Sequence, residues 1–346
     1  MKALFVGLGS IGQRHLRNLR QLRGDSIEIL ATRSLRQVPM LDENRNVVTD
    51  GDISKHYGIR EYSSLDEALS QRPDVVFVTN PSSLHLDTAL EAASMGCHLF
   101  IEKPLHNSLD GVDELIGIVN ERQLVATVAY QLRFHPGLRK VDEWLTDNRI
   151  GRIVSAQITH GEYLPNFHPY EDYRTSYAAR RELGGGVLLT QIHEFDYVLW
   201  LFGKPRRLFS IGGKLSDLEV DVEDTASILM ECGKGSESFP VTICLDYLQT
   251  PAYRFCLIVG TEGSIYLDFY GAKSAVLKSH DTKDNESFSF EMLHINELFL
   301  NELEEFLNAV ERGATPIVDL SMGLESLEVA LKAKSSMTSG LVEFLK

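Results

Sequence analysis

Met1-Lys2-Ala3-Leu4-Phe5-Val6 runs directly into Gly7-Leu8-Gly9-Ser10-Ile11-Gly12 and then into a helical-looking stretch, Gln13–Leu22. An apolar run, a Gly-x-Gly-x-x-Gly turn and an amphipathic segment, in that order, are what a dinucleotide site requires. Gly7 permits the tight turn out of the strand, Gly9 lets the backbone approach a pyrophosphate, and Gly12 lets helix and strand pack closely. The helix N-terminus, with Ser10 and Ile11, offers N–H groups to the phosphates. A purely structural glycine turn can be spelled the same way. The strand before it and the helix after it carry the reading.

Working outward, strand and helix signals alternate through residues 1–130. Apolar, β-branched-rich runs at Leu4–Val6, Ile27–Leu30, Val75–Thr79, His98–Ile101 and Val125–Tyr130 read as buried parallel strands. Helical patterns fall at Leu65–Ser70, Leu84–Met95 and Leu109–Arg122, with Ser64 and Ser108 as expected N-caps. The polar stretch from Gln37 to Asp52 reads as an irregular excursion with little core. This alternation predicts a doubly wound parallel sheet, its ligand crevice at the carboxyl ends of the strands.

After Pro136 the pattern changes. Helices are expected at Leu138–Thr146 and from about Val187 to Leu201, and a strand at Ile153–His160. Strand signals then follow with few helices between: Arg207–Gly212, Thr225–Met230, Phe239–Leu245, Arg254–Gly260, Ser264–Phe269 and Ala275–Lys278. Consecutive strands without crossover helices predict a mostly antiparallel sheet in a second domain. Helices at Asn296–Arg312 and Met322–Ser336 close the chain. The expected division is residues 1–130 and 131–346, with the last helix able to pack back on the first domain.

A chain of 346 residues is long enough for two cores, and its net charge is −15. That charge argues against a nucleic-acid or anionic-membrane surface, though not against a small anion held by a few arginines. Cys97, Cys232, Cys244 and Cys256 show no Cys-x-x-Cys pairing, no stretch of 18 apolar residues appears, and no signal peptide is legible. A soluble cytoplasmic protein with reduced thiols is expected, with no metal site.

Ile101-Glu102-Lys103-Pro104 places a lysine at the carboxyl end of a parallel strand, where it points into the crevice. An ammonium there can hydrogen-bond a substrate hydroxyl and exchange its proton as hydride leaves the same carbon. A surface lysine that happens to precede a proline is the plainer alternative.

"GLGSIGQRHLRNL", "SSLDEAL" with "PDVVFVTNPSSLH", and "MGCHLFIEKPL" resemble, in order and spacing, the Gfo/Idh/MocA family of NAD(P)-dependent oxidoreductases. "LRFHP" at Leu132–Pro136 and "LGGGVLLTQIHEFDYVLWLFG" at Leu183–Gly203 fit it too. The resemblance implies a Rossmann domain followed by an α/β domain with a large open sheet, often the oligomer interface. A homodimer or homotetramer through that sheet is therefore expected. It also implies a sugar or cyclitol substrate, Lys103 as the principal catalytic residue, and Asn80, His85 and Glu102 beside the cofactor.

In the Gly186–Leu201 region, Thr190, His193 and Tyr197 are spaced i, i+3, i+7 and would share one helical face. His193 is expected to exchange a proton with a sugar hydroxyl near neutral pH. The family commonly carries an aspartate where Thr190 stands. A threonine can orient a hydroxyl but cannot serve as a carboxylate base, so Lys103 and His193 would bear more of the work. A structural histidine under the cleft is the alternative.

Cofactor choice is read at Ala31-Thr32-Arg33-Ser34. No acid is present to bind a ribose 2′-hydroxyl, and Thr32, Arg33 and Ser34 suit a 2′-phosphate, so NADP(H) is favoured over NAD(H). The aromatic and arginine-rich segment Gly161–Gly186 reads as a substrate loop or an interface arm. Tyr163, His168, Arg174 and Arg180, with Arg133, are its expected substrate contacts. The function expected is hydride transfer between a carbinol carbon of a sugar or nucleotide sugar and nicotinamide. A redox-neutral epimerase or eliminase and a non-catalytic dinucleotide-dependent sensor remain as alternatives.

Overall fold

The computed structural model describes residues 1–32, 39–233 and 235–345, divided between two compact units. The first comprises residues 1–130, 182–184 and 296–324, and the second residues 131–181, 185–295 and 325–346.

The first unit is built on β1 (Lys2–Val6), β2 (Glu28–Thr32), β3 (Ile59–Tyr62), β4 (Val75–Val78), β5 (His98–Glu102) and β6 (Ala126–Ala129). These form one all-parallel sheet in the order β3-β2-β1-β4-β5-β6. The chain reverses direction of winding between β1 and β4, which is the switch point of a Rossmann sheet. The strands are apolar throughout because both faces are covered: β4 and the inner part of β5 are fully buried. The covering helices include α1 (Ser10–Arg23), α2 (Ile53–Tyr57), α3 (Leu65–Leu69), α4 (His85–Ser94) and α5 (Val112–Glu121).

Ser64 caps α3 by accepting from Glu67 N, whereas α5 starts after Gly111 and not at Ser108. Residues 39–52 carry more core than expected: Met40 and Leu41 are buried, and Gln13 ties the segment to α1 by donating to the Pro39 carbonyl and accepting from Leu41 N. α2 and β3, unforeseen in the sequence, follow that segment.

The second unit contains α6 (Pro136–Thr146), β7 (Ile153–Gly161), α7 (Val187–Thr190) and α8 (His193–Phe202). It continues with β8 (Arg207–Gly213), β9 (Thr225–Cys232), β10 (Phe239–Asp246), β11 (Tyr253–Gly260), β12 (Gly263–Asp268), β13 (Ser274–Ser279) and β14 (Glu286–Ser289). α9 (Ile295–Arg312), α10 (Leu320–Ser339) and β15 (Glu343–Phe344) complete the chain. Among the described residues nine strands form one sheet, β14-β13-β12-β11-β7-β10-β9-β8-β15, in which only β7 and β10 pair in parallel. β9, β10 and β11 alternate buried and outward residues, as a sheet covered on one face must. α9 covers the Rossmann sheet, where Leu303, Phe306 and Leu307 join the core around Phe77 and Phe100.

The single helix expected over Val187–Leu201 is broken. Gln191 leaves helical geometry (φ −99, ψ 36), and its Nε2 donates to the Asp246 carbonyl oxygen at 3.0 Å. Thr190 therefore ends α7 while His193 begins α8. The i, i+3, i+7 face does not exist as one helical stripe, and Tyr197 is fully buried.

Candidate functional site

In the first unit three turns leave the carboxyl edge of the sheet from neighbouring strands. Gly7–Gly12 follows β1, Thr79-Asn80 follows β4 and Lys103 follows β5. Two strand spacings, roughly 10 Å, separate the outer pair. Gly7 has φ +99, and a Cβ there would press on the Asn80 backbone nitrogen at 2.9 Å. A Cβ on Gly12 would overlap the Gly7 carbonyl oxygen and lie 2.9 Å from Thr79 Oγ1, so this crossing of helix, strand and turn admits only glycine. Thr79 Oγ1 donates to the Gly7 carbonyl at 2.6 Å and fixes the turn from the β4 side.

Gly9 caps α1 without a side chain, open space lies beside it, and no acid occupies the first helical turn. Ser10 and Ile11 begin that turn. These features fit a pyrophosphate at the helix N-terminus. Thr32 ends β2, its carbonyl accepting from Gly7 N at 3.2 Å; Arg33 and Ser34 lie outside the described residues.

Glu102 is buried, and His15 Nε2 donates to its Oε1 at 2.7 Å while Lys103 N donates to its Oε2 at 3.1 Å. Burial favours the neutral acid, but His15, Lys103 and His85 outweigh it and hold the carboxyl below the usual range. Both carboxylate oxygens are thus directed to this chain's own groups. His85 is buried too, between the carbonyls of Pro104 and Asn80, and Asn80 Nδ2 donates to Thr88 Oγ1 at 3.0 Å. His15 and Thr79 escaped the sequence reading. The signal for His15 was its place three residues beyond Gly12, one helical turn along the sheet-facing side of α1.

In the second unit His193 is buried at the start of α8. Its neighbour Glu194 is fully buried and meets Arg254, whose Nε lies 2.7 Å and Nη2 2.6 Å from Oε1; His160 Nδ1 lies 3.5 Å from Oε2. Burial opposes the Glu194 charge, but Arg254 and His160 outweigh it and hold the carboxyl at about 2. Thr190 is buried, with its Oγ1 2.8 Å from the Tyr247 hydroxyl.

Arg133 forms a bidentate pair with buried Asp196, at 2.8 Å for each bond, and its guanidinium lies 5.1 Å from the Trp200 ring. His168 faces Glu171 at 2.9 Å. Arg174 is exposed between Asp172 and Glu219, and Arg180 lies 3.9 Å from Asp221. Tyr163 is half-buried just before the short helical turn Leu164–Asn166. The arginines expected to meet an anionic substrate therefore each have a carboxylate neighbour within the chain. No group of three or more possible metal ligands occurs among the described residues.

Residues 1–130 match the model of the oxidoreductase family with the NAD-binding Rossmann fold, and residues 143–343 match that family's C-terminal alpha/beta domain. The chain belongs to the Gfo/Idh/MocA oxidoreductase family. Myo-inositol 2-dehydrogenase from Thermotoga maritima is 25% identical to it over 97% of this chain and 96% of its own length. Scyllo-inositol 2-dehydrogenase (NAD(+)) from Bacillus subtilis is 24% identical over 99% and 95%. The WlbA dehydrogenase from Bordetella pertussis, solved with NADH and UDP-GlcNAcA, shares the fold: TM-score 0.78, 21% identity, covering 100% of this chain and 98% of that one. Among the described residues no helix is long and apolar enough to cross a membrane.

Proposed function

We propose that this family member is an NAD(P)-dependent dehydrogenase that moves hydride between a carbinol carbon of a cyclitol, sugar or nucleotide sugar and nicotinamide. The observation that carries the reading is the shared carboxyl edge of one parallel sheet, with the glycine turn after β1 and Lys103 after β5. The cofactor, when bound, supplies the hydride acceptor or donor. The turn and the α1 N-terminus bind its pyrophosphate, and Lys103 exchanges the proton of the substrate hydroxyl. His193 is the second group we propose for proton exchange. The inositol dehydrogenases among the relatives support the substrate class.

NADP(H) is the cofactor favoured. No acid stands in Ala31-Thr32-Arg33-Ser34 at the end of β2, and Thr32, Arg33 and Ser34 suit a 2′-phosphate. A homodimer or homotetramer through the nine-stranded sheet is supported by its outward face. There Ile211, Leu229 and Tyr253 are exposed, and Phe255 packs against Tyr253 and Tyr266. We propose a cytoplasmic location.

A screen at 340 nm with both cofactors against cyclitols, sugars and nucleotide sugars tests the reading. A substrate-dependent absorbance change is expected. Substrate consumption without net absorbance change would instead indicate a redox-neutral enzyme, and cofactor binding with no consumption of any candidate a sensor.

A further inference from the structure

His85 opens α4 and is 1% exposed, so its ring can bond only to the protein around it. Its Nδ1 lies 2.8 Å from the Pro104 carbonyl oxygen and its Nε2 2.8 Å from the Asn80 carbonyl oxygen. A carbonyl oxygen can only accept, so each contact is a hydrogen bond only if the facing nitrogen carries a proton. A neutral imidazole has one N–H. Its other nitrogen would direct a lone pair at an oxygen lone pair. His135 has the reverse surroundings: its Nδ1 accepts from Gly137 N at 3.1 Å and Leu138 N at 3.4 Å, and burial together with Arg254 pushes its pKa down to about 3.

The charges around His85 oppose one another. Burial is the largest influence and, with a smaller repulsion from His106, it sets the ring's pKa below the ordinary value. The two carbonyls and the Glu102 carboxylate favour the cation, and it is the carbonyl geometry at both nitrogens that argues for the second proton. Glu102 is itself buried, and a buried carboxylate requires a counter-charge as well as dipolar donors. Lys103 N and His15 supply donors to its two oxygens. Both His85 contacts have the geometry an imidazolium requires, and a cation there would add to the His15 and Lys103 interactions that already favour the Glu102 carboxylate.

We propose that His85 is an imidazolium in the native protein, clasping the chain that leaves β4 at Asn80 to the chain that leaves β5 at Pro104, and so acts as a positioning residue for Lys103. The Lys103 backbone is then held from both sides, by Glu102 at its own nitrogen and by His85 at the next carbonyl. Loss of the second ring proton at high pH would release one side of the clasp. The meaning for catalysis rests on the role proposed for Lys103; the ring's protonation and the local backbone order do not.

The test uses the full chain with ring-15N histidine, assigned by comparison with His85→Gln. The His85 ring is expected to show two protonated nitrogens at pH 7, one facing each carbonyl. In hydrogen exchange, the peptide spanning residues 99–106 should exchange about tenfold faster in H85Q, with distant peptides unchanged. A proton-free ring nitrogen at pH 7 overturns the proposal, as does parental exchange over residues 99–106 in the variant. Should H85Q fail to fold, H85N replaces it. The parent spectrum still decides, because the absence of any doubly protonated ring at pH 7 excludes the clasp. These readouts need no turnover, so failure of the dehydrogenase reading and failure of the clasp are distinguishable.

Discussion

The Tyr247 hydroxyl lies 2.8 Å from Thr190 Oγ1, and both side chains are closed to solvent. The same phenol oxygen lies 3.3 Å from the Ala178 carbonyl oxygen. Thr190 at the end of α7 is thus anchored by the phenol that follows β10. Thr190→Val and Tyr247→Phe should each destabilise the fold by about 1 kcal/mol, and the double variant by less than the sum, because both remove one shared bond. Urea unfolding of the four proteins measures this. Strict additivity would mean that the two hydroxyls are not coupled.

Glu194 and Arg254 form a buried ion pair, and removing one partner leaves the other charge uncompensated. Glu194→Gln should cost about 3–5 kcal/mol at pH 7. The Glu194 carboxyl is held at about 2, below the ordinary 4.5. A depressed carboxylate pKa gives stability that is fully present above 4.5 and is lost as pH falls from there through about 2. The gap between parent and E194Q in urea midpoints should therefore be constant above pH 5 and shrink below 4.5. A gap independent of pH down to 3 would show that Glu194 is not charged in the fold.

The Rossmann half was legible because its signals are local. β1, the glycine turn and α1 follow one another without interruption, and apolar runs such as Val75–Val78 can only be buried strands. β3 was missed because Ile59-Arg60-Glu61-Tyr62 is a short edge strand with two charged residues, and β15 because it has two residues. The break at Gln191 was invisible for another reason. It depends on a side-chain bond to Asp246, 55 residues away, while the apolar pattern runs on unbroken. Asp196 for Arg133, Pro104 for His85 and His15 for Glu102 are likewise distant in the chain, so the residue types could be named from the sequence but these bonds could not.

Cofactor preference is testable from Arg33 even though it lies outside the described residues. NADPH should bind the parent more tightly than NADH, and Arg33→Ala should erase most of the difference. A charge-assisted phosphate contact of about 1.5–3 kcal/mol corresponds to roughly ten- to a hundredfold. Fluorescence titration with both reduced cofactors gives the answer, and equal affinities in the parent would overturn the NADP(H) preference in favour of a dual-specificity site.

The outward face of the nine-stranded sheet offers a simple test of assembly. Leu229 is exposed at the middle of β9, beside β10 and β8. Leu229→Lys should shift the protein toward monomer in light scattering without changing its far-ultraviolet circular dichroism, because a charge is disfavoured in an apolar interface core. A monomeric parent would remove the premise.

Lys103 and His193 should separate binding from chemistry. Lys103 follows β5 at the edge that carries the dinucleotide turn, so Lys103→Ala should leave cofactor affinity nearly unchanged. It should cut turnover of the substrate found at 340 nm by at least about a hundredfold, the scale of losing an acid–base group. Near-parental turnover would reduce the lysine to a marker of position. His193 begins α8 beside the Glu194–Arg254 pair, and an imidazole there is expected to carry the proton-exchange limb of the reaction. His193→Asn preserves the ring's approximate size and one donor but cannot titrate. It should therefore flatten the acidic limb of the pH–rate profile while the limb set by other groups remains. If the profile of His193→Asn keeps both limbs with only its height reduced, the histidine orients the substrate and the proton passes through Lys103 alone.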